Sequence, residues 1–268
     1  MSSADASEKI EISVLVPVMN EAGNIRPLID EIAVAFAGRA FEILYIDDGS
    51  TDNTAQELKE ARAVIPQLRV LSHEIRSGQS AALRSGLFAS HGDIIAVLDG
   101  DGQNIPADFA QIEKALKDMR PARGMAGGVR TKRRDSLIKL QASRCAKWMR
   151  ASMLGDNHPD SGCGIKMVDR DVFFKLPYFN HMHRFMPSLV RRNGGRVIGV
   201  PVAHRPRQVG TSKYRILDRL IVGISDVLGV IWLLRRAPTS GAVSEVSRPA
   251  STPRKASKSA SSTKRSRT

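Results

Sequence analysis

Val97-Leu98-Asp99-Gly100-Asp101-Gly102-Gln103 sets two carboxylates one residue apart, where an apolar run gives way to glycine. The run that leads into it, Asp93 to Leu98, is short, apolar and closed by a glycine-rich turn, the pattern of a buried strand. An Asp-x-Asp at a strand's carboxyl end points acidic oxygens out of the sheet edge, where open α/β sheets bind ligands. Hard divalent cations such as Mg²⁺ or Mn²⁺ prefer carboxylate, carbonyl and water oxygens, and often share a ligand shell with a diphosphate. Asp99 and Asp101 are therefore candidates to hold a nucleotide's diphosphate through a metal bridge. The alternative is a solvated acidic turn, and the neighbouring sequence decides between them.

Upstream, strand and helix patterns alternate from Ile10 to Leu98. Ile12 to Val16, Phe41 to Ile46 and Leu68 to Leu71 read as strands, and Ala22 to Ala37, Thr51 to Arg62 and Ser80 to Ser90 as helices. Such alternation predicts an α/β fold, with a mainly parallel central sheet flanked by helices. Pro106 suits the first turn of a helix over Ala107 to Met119. After Gly128 the pattern loosens into a basic segment, a helix over Ser136 to Leu154 and the glycine-rich Asp160-Ser161-Gly162-Cys163-Gly164. A strand at Arg196 to Val202 and an apolar segment, Ile216 to Leu234, close the folded part.

With 268 residues, 42% of them hydrophobic, the chain can bury a sizeable core. A formal charge of +14 calls for an anionic partner: phosphate ligands, an acidic membrane surface or nucleic acid. Two cysteines, Cys145 and Cys163, make no disulfide framework and suit a reducing compartment. The polar start, Met1 to Lys9, lacks a signal peptide's apolar core, and no stretch supplies the ~20 largely uncharged apolar residues of a membrane span. The chain reads as cytoplasmic. Beyond Pro238 the composition is Ser, Thr, Ala, Pro, Lys and Arg, which cannot bury enough apolar surface to fold alone. A basic tail gains ~1 kcal/mol per Lys or Arg near anionic lipid, whereas specific nucleic-acid binding finds no aromatic residue there for base stacking.

The first strand runs into Pro17-Val18-Met19-Asn20-Glu21 and the second into Asp47-Asp48-Gly49-Ser50-Thr51. Both bring polar groups to the sheet edge that carries Asp99. Asp48 can accept hydrogen bonds from a base or ribose, and Ser50 or Thr51 can cap the next helix. Arg76-Ser77-Gly78-Gln79-Ser80 forms a third polar turn, with Gln79 a candidate donor contact. No Gly-x-Gly-x-x-Gly follows the first strand and no P-loop lysine pattern occurs, which argues against a dinucleotide-binding dehydrogenase or a P-loop enzyme.

Taken in order, Pro17 to Glu21, Asp47 to Ser50 and Asp99-Gly100-Asp101 resemble the nucleotide and metal motifs of the family 2 glycosyltransferases. These are inverting enzymes of the Rossmann-like GT-A fold that use nucleotide sugars. The later half is similar to the polyprenyl-phosphate sugar synthases, the dolichol-phosphate mannose synthase group. Their metal motif commonly continues Leu-Gln-His-Pro-Pro; here Gln103 holds the glutamine's place while Asn104-Ile105-Pro106 replaces the rest. The resemblance implies a metal site of Asp99, Asp101 and Gln103, and donor contacts by Pro17, Asn20, Glu21, Asp48, Gln79 and Asp99. Arg207 and Lys213 match a loop that closes over the donor diphosphate. Arg130 matches an arginine facing the acceptor phosphate, and Lys139 with Ser143 fits a basic-plus-serine acceptor site, where Arg133, Arg134 and Arg144 compete for the alignment. Asp160 either orients the acceptor or a sugar hydroxyl, takes up a proton, or supports its turn.

The resemblance divides the chain into a flexible N-terminus (1–9), a transferase domain (10–214), an amphipathic helix at a membrane interface or on the core (215–237) and a disordered basic tail (238–268). It implies transfer of a sugar from a UDP- or GDP-linked donor to a polyprenyl phosphate. Mg²⁺ or Mn²⁺ would assist, on the cytoplasmic face of an anionic membrane, by a peripheral enzyme or one with a small membrane-protein partner. A family 2 enzyme acting on a polysaccharide or protein hydroxyl would need a base, with Asp160 the first candidate. A non-enzymatic basic adaptor would instead work through its tail.

Overall fold

The computed structural model describes residues 9–131, 158–207 and 216–236, with side chains in the last stretch from Ser225 onward. The expected helix at Ser136 to Leu154 and the tail beyond Pro238 lie outside the described residues.

Strand β1 (Ile12–Val18), helix α1 (Ile25–Ala35), β2 (Phe41–Asp47), α2 (Thr54–Val64), β3 (Leu68–Ser72), α3 (Gln79–Ala89) and β4 (Ile94–Val97) follow the alternation read from the sequence. Then come α4 (Phe109–Asp118), β5 (Gly124–Arg130), β6 (Lys166–Asp169), α5 (Arg170–Phe174), α6 (Met186–Arg192), β7 (Arg196–Val202) and α7 (Ile216–Arg235). The seven strands form one sheet in the order β3-β2-β1-β4-β6-β5-β7. β6 alone runs against the others, pairing antiparallel with β4 (Val97 opposite Lys166) and with β5. The sheet is thus the mainly parallel one expected. Strands β5 and β6 and the short helices α5 and α6 are additions to the sequence reading. Three glycines in β5 and a lysine and an aspartate at the ends of β6 hide the apolar runs that mark a strand.

Strand periodicity sorts the core into two layers. Val14, Val16, Ile43, Tyr45 and Ala96 face α1, α2 and α4, meeting Ile29, Ile32, Leu58, Phe109 and Ile112. Their neighbours Leu15, Leu44, Ile46, Ile95 and Val97 face the other way, toward Leu83 and Leu87 of α3 and Phe173, Met186 and Leu189 beyond it. Each such side chain taken wholly out of water is worth ~1.5–3 kcal/mol.

Helix α7 lies on the second layer. Val230 is buried, and Val227, Ile231, Leu233 and Leu234 pack against the core, while Leu228 and Trp232 stay exposed. Leu228 and Ile231, three residues apart and so neighbours on the helix surface, fall either side of the boundary where the core contact ends. No helix among the described residues is long and apolar enough to cross a membrane.

Candidate active site

Because only β6 is reversed, the carboxyl ends of β1, β2, β4, β5 and β7 and the start of β6 meet at one edge of the sheet. Asn20 and Glu21 follow β1, Asp48 follows β2, Asp99 and Asp101 follow β4, Arg130 ends β5, Gly164 precedes β6 and Arg207 follows β7.

The Asp99 turn is held by close approach. A Cβ on Gly100 would stand 2.3 Å from Val18 Cγ1 and 3.3 Å from the Pro17 carbonyl, so Pro17 and Val18 serve here as the floor beneath the turn. A Cβ on Gly164 would stand 2.1 Å from Asp99 Oδ2. Asp99 Oδ1 accepts a hydrogen bond from Gln79 Nε2 at 2.8 Å. Burial first, then the charge of Asp101, push the Asp99 carboxyl above its ordinary range, against the opposing pull of Lys166, Gln79 and Arg130. Two crowded carboxylates with oxygen donors only suit a hard divalent cation, which relieves the repulsion that raises Asp99. Asp101 Oδ1 accepts from the Gln103 backbone N–H at 3.1 Å. Gln103 Nε2 donates to the Arg205 carbonyl at 3.5 Å, so its amide oxygen is the end that could meet a cation. The residues present therefore fit the metal. Among the described residues no cluster of three His, Cys, Asp or Glu ligands occurs, and a cation held here would complete its shell with amide, water or diphosphate oxygens.

Asn20, at φ 56°, accepts from the Thr51 backbone N–H at 2.7 Å, and its own N–H donates to Ser50 Oγ at 2.9 Å. The first two polar turns are thus tied together. Asp48 is 4% exposed and already committed to protein partners. Its Oδ1 accepts from the Ser77 N–H at 2.8 Å and lies 2.8 Å from His73 Nδ1, while Oδ2 accepts from the Gly78 N–H at 2.7 Å. In this structure Asp48 anchors the 73–78 loop, a partnership that adjacency in sequence does not reveal.

Arg207 pairs with Glu21, joining the loop after β7 to the loop after β1. Burial works against the Arg207 charge, but the hydrogen bond and charge of Glu21 and the charge of Asp101 outweigh it and raise its pKa. Arg130 and Asp160 form a bidentate pair, Nε to Oδ2 at 2.7 Å and Nη2 to Oδ1 at 2.8 Å. The Asp160 hydrogen bond raises the Arg130 pKa in spite of burial. Arg205 straps the turn: it pairs with Glu31 at 2.9 Å and donates to the Gly102 carbonyl. Lys139, Ser143, Lys213 and the competing Arg133, Arg134 and Arg144 lie outside the described residues.

Lys166 enters the site from the fold, and His183 packs beside it. Lys166 is 6% exposed, sits opposite Val97 on the face that Asp99 shares, and sends Nζ to within 3.5 Å of the His183 carbonyl. His183 Nδ1 lies 2.9 Å from Ser80 Oγ. Burial, followed by the charges of Lys166, Arg184 and His181, lowers the His183 pKa to about 3, so its ring is neutral near pH 7. The one hint in the sequence is spacing: Lys166 opens β6 two residues after Gly164, which abuts Asp99. Burial raises the Cys163 thiol, consistent with small packing between glycines.

The family model for glycosyl transferase family 2 matches residues 13–176. The chain belongs to glycosyl transferase family 2. It is 31% identical over 240 residues to the dodecaprenyl-phosphate galacturonate synthase of Rhizobium johnstonii, covering 86% of this chain and 69% of that protein. It is 30% identical over 222 residues to the undecaprenyl-phosphate 4-deoxy-4-formamido-L-arabinose transferase of Yersinia pestis, covering 81% and 66%. This family 2 chain thus spans about two thirds of the length of these curated relatives. Glucosyl-3-phosphoglycerate synthase of Mycobacterium tuberculosis, solved with Mn²⁺, UDP-glucose and glycerol 3-phosphate, superposes with a TM-score of 0.61. That likeness, at 22% identity over 87% of this chain and 82% of the other, shows the shared GT-A fold.

Proposed function

We propose that this family 2 chain moves a sugar from a UDP- or GDP-linked donor to a polyprenyl phosphate, with inversion at the anomeric carbon. Two relatives whose names carry a polyprenyl phosphate support the acceptor class, and their sugars, a galacturonate and a formamido-arabinose, differ from the mannose of the resembled group. The observation that carries the reading is the Arg130–Asp160 pair. A hydroxyl acceptor needs a base, yet Asp160 gives both carboxylate oxygens to Arg130. A phosphate monoester is already an anion near neutral pH and needs none.

Asp99, Asp101 and the Gln103 side-chain oxygen would hold Mg²⁺ or Mn²⁺, which when bound neutralises the departing diphosphate. Arg207, kept in place by Glu21, adds a fixed positive charge for the same oxygens, and Lys213 would join it. Asn20 and the turns it ties, with Gln79, shape the donor pocket. Asp48 supports that pocket by fixing the 73–78 loop. Arg130, with Nε and Nη2 occupied by Asp160, offers Nη1 to the acceptor phosphate, aided by Lys139 and Ser143. One acceptor oxygen bonds to the anomeric carbon from the face opposite the diphosphate, whose C–O bond breaks, so an α-linked donor gives a β-linked product. The chain's main contribution is orientation. Its place is a cytoplasmic membrane surface, where lipid and nucleotide sugar meet.

The test is to incubate the purified full chain and Mn²⁺ with a polyprenyl phosphate and a panel of UDP- and GDP-sugars, and to weigh the lipid product. A glycosylated lipid phosphate is the expected result. Transfer to a polysaccharide or protein hydroxyl, with none to the lipid phosphate, overturns the reading.

A further inference from the structure

The two helical layers differ in charge and in what they expose. The α1, α2 and α4 helices carry six carboxylates, Asp30, Glu31, Glu57, Glu60, Glu113 and Asp118, nearly balanced by Arg26, Lys59, Arg62, Lys114 and Lys117, whereas α3, α5 and α6 together carry Arg84, Arg170, Arg191 and Arg192 against one carboxylate, Asp171, tied to Arg123 at 2.8 Å. From Ile75 to Gly92 and from Val172 to Asn193 the chain has no Asp or Glu, but carries Arg76, Arg84, Lys175, Arg184, Arg191 and Arg192. The large aromatic side chains left exposed among the described residues are Phe88 (62%), Phe174 (38%), Tyr178 (45%) and Trp232 (59%), all on this second layer.

The rings and cations are interleaved. Arg84 Cζ lies 4.1 Å from the Tyr178 ring centre and 5.5 Å from that of Phe88. Arg170 covers Phe174 at 4.8 Å, and Phe174 meets Phe88 edge-on at 5.4 Å. These rings line an open groove floored by Leu83, Leu87 and Met182. On α7 of the same layer, Arg236 stacks on Trp232 at 5.1 Å, beside exposed Leu228.

We propose that the α3–α5 face, continued by the outer side of α7, docks on an anionic lipid surface. Aromatic rings favour the boundary between headgroups and acyl chains, and guanidiniums beside them pair with lipid phosphates bidentately. The described carboxylates of these elements, Asp171 and Asp226, are paired with Arg123 and His181, so the arginines leave the face net positive toward anionic headgroups, whereas the α1, α2 and α4 helices are nearly neutral and offer no such attraction. Helix α3 begins at Gln79, in the site, so a membrane along its flank puts lipid phosphates within reach of the Asp99 edge. The inference rests on the lipid-acceptor reading for its purpose only.

The test therefore measures membrane binding without donor or acceptor. The full chain should sediment with vesicles of equimolar phosphatidylglycerol and phosphatidylcholine and stay in solution with phosphatidylcholine alone. Phe88→Ser combined with Phe174→Ser should weaken that partitioning about tenfold. Arg84→Glu, which reverses a charge among these rings, should weaken it as well, and Val64→Ser on the opposite layer should leave it unchanged. A thermal melt checks that each variant is folded. In a Phe174→Trp chain, added vesicles should shift the new tryptophan's emission to the blue. Wild-type partitioning by the folded Phe88/Phe174 and Arg84 variants overturns the proposal. So does a dimer that these variants convert to monomer while vesicles have no effect, which would make the face a contact between copies.

Discussion

Asp99 stands so close to Gly164 that one added methyl must displace its carboxylate. Gly164→Ala is expected to lower sugar transfer about tenfold or more and to cost about 1–3 kcal/mol in chemical denaturation, as overpacking does. Asp101→Asn separates chemistry from packing. It should keep the melting temperature, reduce kcat by ~10²–10³ and weaken Mn²⁺ binding measured by calorimetry with UDP present. Full activity in Asp101→Asn would remove the metal reading. Asp160→Asn breaks the fork on Arg130, so it should raise KM for the lipid phosphate more than KM for the nucleotide sugar. Asp99 and Asp101 are legible in the sequence because they are neighbours at the end of an apolar run. The Arg130–Asp160 pair is not, because its members are 30 positions apart and meet only when β5 and the glycine-rich loop come together.

Among the elements, β2 holds the least expected atom. Tyr45 is wholly buried between β2 and the α1–α2 layer, and its hydroxyl has no hydrogen-bond partner. Burial alone drives its pKa up. Removing that oxygen removes a desolvation cost, so Tyr45→Phe should stabilise the fold by about 1 kcal/mol, read as a higher denaturant midpoint with unchanged slope. Near-continuous apolar runs mark β1, β2 and β4 in the sequence because each is covered on both faces by apolar layers. Strand β6 fails that test. Its Lys166 is buried for the sake of the Asp99 edge, and polar residues in a four-residue strand look like a loop. Helix α7 shows the converse: its apolar spacing is plain, but only the core beneath it decides that Ile231 turns in while Leu228 faces out.

Across the whole molecule, acid should lower stability over two pH ranges. His183 is held near a pKa of about 3 from an ordinary 6.5, chiefly by burial. The unfolded chain therefore binds a proton that the fold refuses, and stability declines as pH falls below about 6.5. At the far end of the sheet, burial would raise the Glu42 carboxyl. Hydrogen bonds from Ser13, the His91 N–H, Arg69 and the His91 ring outweigh it and lower the pKa. Its contribution is present above the ordinary carboxylate pKa of about 4.3 and is lost as pH falls through the lower folded value. Urea midpoints against pH should show both limbs. His183→Asn flattens the upper limb and Glu42→Gln the lower, at some cost in stability at neutral pH. The sequence by itself determined the α/β alternation, the three motif turns and the family, because these are local patterns of apolar period and turn chemistry. Only the tertiary structure decided that Asp48 anchors a loop, that Asp160 clamps Arg130, that Lys166 is buried where its charge acts on Asp99, and that exposed rings and arginines gather on one face. Each of these depends on contacts between residues distant in the chain, which strand order and the one reversed strand bring together.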